Sequence, residues 1–478
     1  MKEKKTLFQK LKEYNKTMLP MHMPGHKRNL ALSGTDGYLT ALCADCDITE
    51  IAGFDNLAEP EEMLLFLKQR AAELWKSEEA YPLVNGSTCG ILAAIYAMVP
   101  YGGAVIVARN CHKSVYNGLQ LVNAKVTYLL PEREPATGGY GRIANETVAE
   151  AFREAPDAKL VILTSPTYEG VCSDIEGICE IAHKKGVPVL VDSAHGAHLG
   201  FGGFPKGAVE CGADLVVHSL HKTLPCLTQT AMLHRRGNLV SGQAVQAAIN
   251  MFQTSSPSYL LLASIDGCIG LLDKQGESLF RAWGETLSDF YQEARLLQNL
   301  RILDENGKDP SKLIIVTEGT DLTGPMLMEL LRKEHCIELE MAAERYGLAM
   351  TGMGDTKESL TRLLKALFAI DEKCNKGPRR KAVYPVLPPV HMTIGEAMEC
   401  KAEELPIEAA VGRIAAEHLW AYPPGIPVVV AGEEITEETK EYLLEKQRMG
   451  VELHRKSGSC KGKLLLEVLQ AKEAERNL

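Results

Sequence analysis

Between Leu57 and Leu224 short apolar runs alternate with segments of helical spacing, and this alternation constrains the fold more than any other feature. Leu64, Leu67, Ala71 and Leu74 follow a three-and-four spacing that puts them on one buried helical face. Ala104 to Val107 and Val126 to Leu129 read as strands. Val148, Ala151, Phe152 and Ala155 mark a helix, and Lys159 to Leu163 a buried strand. Ile178, Ile181 and Ala182 mark another helix, which Gly186 stops as a C-cap. Val187 to Asp192 and Ala213 to Val217 are two further strands. Runs this short and apolar are buried on both faces, so a mainly parallel sheet with helices on both sides is expected. Ligands in such sheets bind beyond the carboxyl ends of the strands.

At 478 residues the chain exceeds one hydrophobic core. Residues 1–55 read as an irregular N-terminal arm, 56–262 as the large α/β domain, 263–372 as a smaller α/β domain and 373–478 as a C-terminal domain. In the smaller unit a long helical pattern runs from Tyr259 through Leu297. Leu313 to Val316 then form a strand and Pro325 to Lys333 a helix. Lys373 to Lys381, with Gly377-Pro378 and five basic residues, reads as a linker. Beyond it a helix is expected around Ala409 to Trp420, then a strand from Ile426 to Val430. Thr436 is placed to cap a last helix, with Glu437 and Glu438 favourable to its dipole.

The charge balance, 52 basic against 62 acidic residues, argues against a nucleic-acid-binding face and is compatible with a cationic substrate. Thirteen scattered cysteines do not look like a disulfide framework, so a reducing cytoplasm is expected. The amino terminus lacks an apolar signal core. The most apolar stretch, Gly90 to Val99, is about half of a membrane span before Pro100 interrupts it.

Two residues at strand ends carry the chemistry. Asp192 closes an apolar run, where a lone carboxylate is costly unless paired. Lys222 follows the next run, in Ser219-Leu220-His221-Lys222-Thr223-Leu224. A Lys and an Asp so placed suggest a pyridoxal 5'-phosphate site, the Lys forming the Schiff base and the Asp pairing with the pyridinium N–H. Asn85-Gly86-Ser87-Thr88 opens a helix and suits a phosphate cup, although an ordinary serine N-cap reads the same way. His112 follows a strand, where it can stack on a ring, act as acid or base, or serve structure alone. Ala194 is small enough to lie flat beneath a ring. Ser219 and His221 can both donate to phosphate. Metal binding by His195 and His198 ranks low, because Gly196 between them interrupts any helical face. Cys43 and Cys46 form a lone CxxC, and His22 and His26 flank a Pro-Gly turn. Neither pair reads as a metal site.

With those residues stated, the chain resembles the fold-type I pyridoxal phosphate enzymes, and among them the bacterial Orn/Lys/Arg decarboxylase family. The resemblance is carried by Met23-Pro24-Gly25-His26-Lys27, Asp47-Ile48-Thr49-Glu50, Asn85-Gly86-Ser87-Thr88, Arg109-Asn110-Cys111-His112-Lys113-Ser114 and Ser165-Pro166-Thr167-Tyr168. It continues through Asp192-Ser193-Ala194-His195-Gly196, the Lys222 segment, Gln253 to Tyr259, and Tyr422-Pro423-Pro424-Gly425-Ile426-Pro427. It implies an aspartate-aminotransferase-like large domain, a smaller α/β domain and a C-terminal domain. It also implies decarboxylation of arginine, lysine or ornithine to the amine and CO2, in polyamine metabolism. Lys222 would carry the cofactor and Asp192 would bind its ring nitrogen, with Ala194 beneath the ring and His112 above. Ser87, Thr88, Ser219 and His221 would hold the phosphate, and His195 would approach the ring hydroxyl. Thr254 and Ser255 match a segment that reaches a neighbouring subunit's site, so a homodimer or larger homo-oligomer is implied.

Two departures stand out. The longer inducible members carry an amino-terminal response-regulator-like domain, whereas here Met23-Pro24-Gly25-His26 comes almost at once, so the short form is expected. Glu169 follows Tyr168 where another residue type is expected; it could grip a substrate's distal cation or alter the reaction. Transamination, a lyase step or a non-catalytic cofactor-binding role are the competing readings. Lys222 and His112 are both candidates to return the proton to Cα.

Overall fold

The structure, a computed structural model, describes residues 5–470 apart from 19–20, 22, 25, 33–36, 306, 379, 381–383, 385–386, 423–424, 450, 457 and 461–463. Seven strands form the main sheet: β1 (Glu79–Leu83), β2 (Ala104–Ala108), β3 (Lys125–Leu129), β4 (Val161–Thr164), β5 (Val189–Asp192), β6 (Leu215–Ser219) and β7 (Ala231–Arg235). Their spatial order is β1-β7-β6-β5-β4-β2-β3. Every pairing from β3 to β6 is parallel. β7 alone runs against both of its neighbours, β6 and β1. The expected mainly parallel sheet is therefore present, and β2, β5 and β6 are buried along their whole length. Consecutive residues of β7 enter opposite cores: Ala231 and Leu233 pack with one, Met232 with the other. That two-sided burial is why these strands read as unbroken apolar runs.

The helix Tyr259–Ala294 lies against the second core through Leu262, Ile265, Ile269, Phe280, Trp283 and Phe290. It leads to a four-stranded antiparallel sheet built on Lys312–Val316 and Tyr346–Met350, with the helices Gly324–His335 and Lys357–Asp371. The last part of the chain holds a separate core around Leu419, Val429, Leu443 and Leu466. Its helix Glu437–Arg448 is capped as expected, Thr436 Oγ1 accepting from the Thr439 amide at 3.1 Å.

Two expectations fail. The stretch taken as an irregular arm contains the helix Leu7–Thr17, opened by a capping box between Thr6 and Gln9. Leu7 and Leu11 are buried, and the Leu7 amide donates to Asp266 on the long helix at 2.9 Å. The helix expected around Ala409 to Trp420 stops at Ala410. Gly412 takes φ 76°, and Leu419–Tyr422 becomes a strand between Ile426–Val429 and Glu452–Arg455. The alanines there satisfy helical spacing, but strand partners on both sides outweigh that local preference. In the expected linker, Lys376 bridges Thr320, and Arg379 and Lys381 lie outside the described residues. His22, from the discounted His22–His26 pair, also lies outside them.

Candidate active site

Parallel register brings the carboxyl ends of β4, β5 and β6 together: Thr164 pairs with Asp192, and Asp192 with Val217. A cavity of about 250 Å³ opens there, lined among others by Ser87, His112, Glu169, Asp192, Ala194, His195 and Lys222. Residues separated by up to 135 positions thus meet because strand ends, not sequence neighbours, form the wall.

Lys222 sits in the short turn after β6, with its Nζ 2.8 Å from His195 Nε2. Burial lowers its proton affinity, and Asp192 partly opposes that. Asp192 is 5% exposed. One of its oxygens accepts from the Ala194 amide at 3.2 Å, and no cation lies within ion-pairing distance among the described residues. Burial pushes its carboxyl up, against the pull of Lys222 and that amide. A buried carboxylate so placed needs a positively charged N–H. His112 caps the helix Lys113–Leu121, its Nδ1 accepting from the Ser114 amide at 3.2 Å. Burial, then Lys222 and Lys113, bring its pKa down to about 4, so the ring is neutral at neutral pH.

The helix Gly86–Met98 opens toward the cavity with no side-chain cap; Asn85 Oδ1 accepts from the Thr254 amide at 3.3 Å instead. Its first N–H groups are therefore not consumed by a serine cap, which removes the ordinary reading of that motif. Thr88, Ser219, His221, Thr254 and Ser255 do not line the cavity. Thr88, Thr254 and Ser255 are exposed. His221 Nδ1 lies 3.0 Å from the Thr230 carbonyl.

The family model "Orn/Lys/Arg decarboxylase, major domain" matches residues 5–308, and the model of the C-terminal domain matches 379–453. The chain belongs to the Orn/Lys/Arg decarboxylase family. It is 32% identical to an arginine decarboxylase of Halalkalibacterium halodurans over 449 residues, 90% of each chain. It is equally identical to an arginine decarboxylase of Bacillus subtilis over 457 residues, covering 92% of this chain and 93% of that one. Its fold superposes on a lysine decarboxylase of Francisella novicida with a TM-score of 0.82 at 21% identity, covering 97% of this chain and 81% of the other.

The fold is that of the fold-type I pyridoxal phosphate enzymes, and the residues of this family member fit that cofactor. Asp192 lacks a cationic partner, and Ser219 Oγ is buried with no hydrogen-bond partner among the described residues. Lys222 Nζ and the small Ala194 face the same space. His198, the second histidine of the discounted metal pair, is instead bound to Asp309 at 3.0 Å. No group of three His, Cys, Asp or Glu suited to a metal occurs among the described residues.

Sequence reasoning missed several wall residues of the decarboxylase cavity: Asn110, Tyr140, Glu340 and Ile426. It also missed two buried charge clusters beside it. Arg109 and Glu433 pair at 3.1 Å, joining the loop before His112 to the C-terminal segment. Asp309 binds His198 and Lys312, all three fully buried, and its amide donates to the Gly170 carbonyl at 2.8 Å. Asp309 thus ties the His195–His198 loop to the Glu169 loop. The Arg109-Asn110, Tyr168-Glu169 and Gly425-Ile426-Pro427 motifs were the available signals; Tyr140 and Glu340 offered none.

Proposed function

We propose that this chain decarboxylates a basic amino acid, arginine, lysine or ornithine, to the corresponding amine and CO2. The observation that supports this most is the meeting of Lys222 and Asp192 in one cavity whose wall also carries two carboxylates, Glu169 and Glu340. The 32% identical relatives named arginine decarboxylase favour arginine. Bound pyridoxal phosphate supplies an electron sink for the bond that breaks at Cα. Asp192 would hold the proton on the ring nitrogen, and Lys222 would anchor the cofactor. Ala194 and the neutral His112 would flank the ring, and His195 would meet its hydroxyl. Ser87 and the open helix terminus Gly86–Met98 would receive the phosphate, joined by Thr88, Ser219 and His221 from outside the cavity wall. A neutral, Ser114-bound His112 suits stacking better than proton donation, which leaves Lys222 the stronger candidate to protonate Cα.

Exposed Thr254 and Ser255, adjoining Asn85, support a homodimer or larger assembly in which this segment reaches a neighbour's site. A reducing cytoplasm and a role in polyamine metabolism accord with this reading, as does a division at residues 56–262, 263–372 and 373–478. No helix among the described residues is long and apolar enough to cross a membrane. The test is release of labelled CO2 from carboxyl-labelled arginine, lysine and ornithine, with the amines identified by mass.

A further inference from the structure

We infer that Glu340, oriented by Tyr168, receives the distal cation of the substrate; this deepens the decarboxylase reading and rests on it. The inference follows from the charges on the cavity wall. Asp192 lies at the strand end, committed to the cofactor ring. Glu169, the acidic residue that sequence alone singled out, has no ion pair among the described residues either, but it is partly buried and held by the buried Tyr346. Its Oε1 accepts from the Tyr346 hydroxyl at 2.8 Å. Lys446, on the helix Glu437–Arg448, lies close enough to feel the charges of Glu344 and Glu169.

Glu340 differs. It precedes the strand Met341–Ala343, lines the cavity, and accepts a hydrogen bond from the Tyr168 hydroxyl. Among the described residues no Lys, Arg or His lies within ion-pairing distance of it. Its negative charge favours the protonated form of Lys222 across the cavity that both line. An independent observation in the same cavity is Asn110, 4% exposed, whose Oδ1 has no hydrogen-bond partner among the described residues. An unneutralised carboxylate and an unused amide oxygen are acceptors only. A guanidinium or ammonium carries several N–H donors and no acceptor, and so complements both.

The class of substrate selected is an α-amino acid with a cationic end. Citrulline, the neutral isostere of arginine, and norleucine, which lacks lysine's terminal ammonium, leave Glu340 without its partner.

The experiment uses cofactor-loaded wild type, Glu340→Gln, Glu340→Asp and Glu169→Gln, with the cofactor's visible absorbance checking each for loading. Glu340 is exposed on its outer side, so the neutral variant keeps its fold. Kinetics on the basic amino acids and calorimetric binding of their decarboxylated amines are measured together. Glu340→Gln is expected to raise both KM and the amine Kd roughly ten- to hundredfold while kcat changes little, the signature of lost charge-assisted binding. Discrimination against citrulline or norleucine collapses, Glu340→Asp recovers part of the loss, and Glu169→Gln has the smaller effect. Unchanged KM and Kd in Glu340→Gln beside an active wild type would overturn the inference and leave the decarboxylase reading intact. A wild type that releases CO2 from none of the three overturns both.

Discussion

Glu433→Gln tests how the C-terminal segment supports the site. Arg109 and Glu433 are 1% and 0% exposed. The guanidinium donates to both carboxylate oxygens, at 3.2 and 3.1 Å, and to the carbonyls of Pro427 and Val428 at 2.6 and 3.2 Å. Glu433 also accepts from the Val430 amide at 2.8 Å. Glutamine keeps the shape but removes the charge, and its NH2 must face a donor on one side. Arg109 is then a buried cation with neutral acceptors only. Breaking one partner of such a pair costs about 3–5 kcal/mol. With a urea slope of about 3 kcal/mol/M, the midpoint of the transition that frees this segment falls by about 1 M or more. Trp420, 6.4 Å from the Tyr116 ring, reports that transition by fluorescence. The double variant Arg109→Met/Glu433→Leu leaves no orphan charge and should recover most of the loss. Because Asn110 and His112 follow Arg109 directly, and Gly425 accepts from the Lys113 amide at 3.2 Å, turnover should fall with Glu433→Gln even in its folded fraction. An unchanged midpoint, or a double variant no more stable than Glu433→Gln, would refute the reasoning.

Two further outcomes are expected. In the cofactor-free protein His112 titrates near pH 4. Its folded pKa lies below the ordinary value of about 6.5, so the stability it contributes is present above that value and is lost as pH falls through 4. Histidine resonances followed by NMR check this, and an ordinary titration at about 6.5 would contradict the burial argument. Asp192→Asn should still load the cofactor through Lys222 but lower kcat by roughly 10²–10³-fold, since asparagine cannot balance a protonated ring nitrogen. Cofactor absorbance and single-turnover rates separate those two effects, and an unchanged rate would remove Asp192 from the chemistry.

The parts legible in sequence are those that burial on both faces writes as short apolar runs. β2, β5 and β6 were read that way, and their carboxyl ends led directly to His112, Asp192 and Lys222. The helix Leu7–Thr17 was legible too, in Leu7 and Leu11 after the Thr6–Gln9 box, and went unread because its apolar face is narrow. The strand Leu419–Tyr422 was hidden because its partners, not its own composition, decide its conformation. Glu340 reaches the cavity from a distant element with no periodic mark, and Ile426 was legible as the start of a strand but not as a wall residue. The Arg109–Glu433 pair spans 324 positions, and although Arg109 stands in a motif, nothing local marks Glu433 as its partner. The lone acidic departure, Glu169, was visible; that the buried Tyr346 holds it required the fold.

The most direct measurement of the central claim is carboxyl-label release by purified, cofactor-loaded protein, wild type beside Lys222→Ala. The account predicts labelled CO2 from a basic amino acid, in step with one amine product, and none from Lys222→Ala. A keto acid in place of the amine, or equal release by Lys222→Ala, would contradict it.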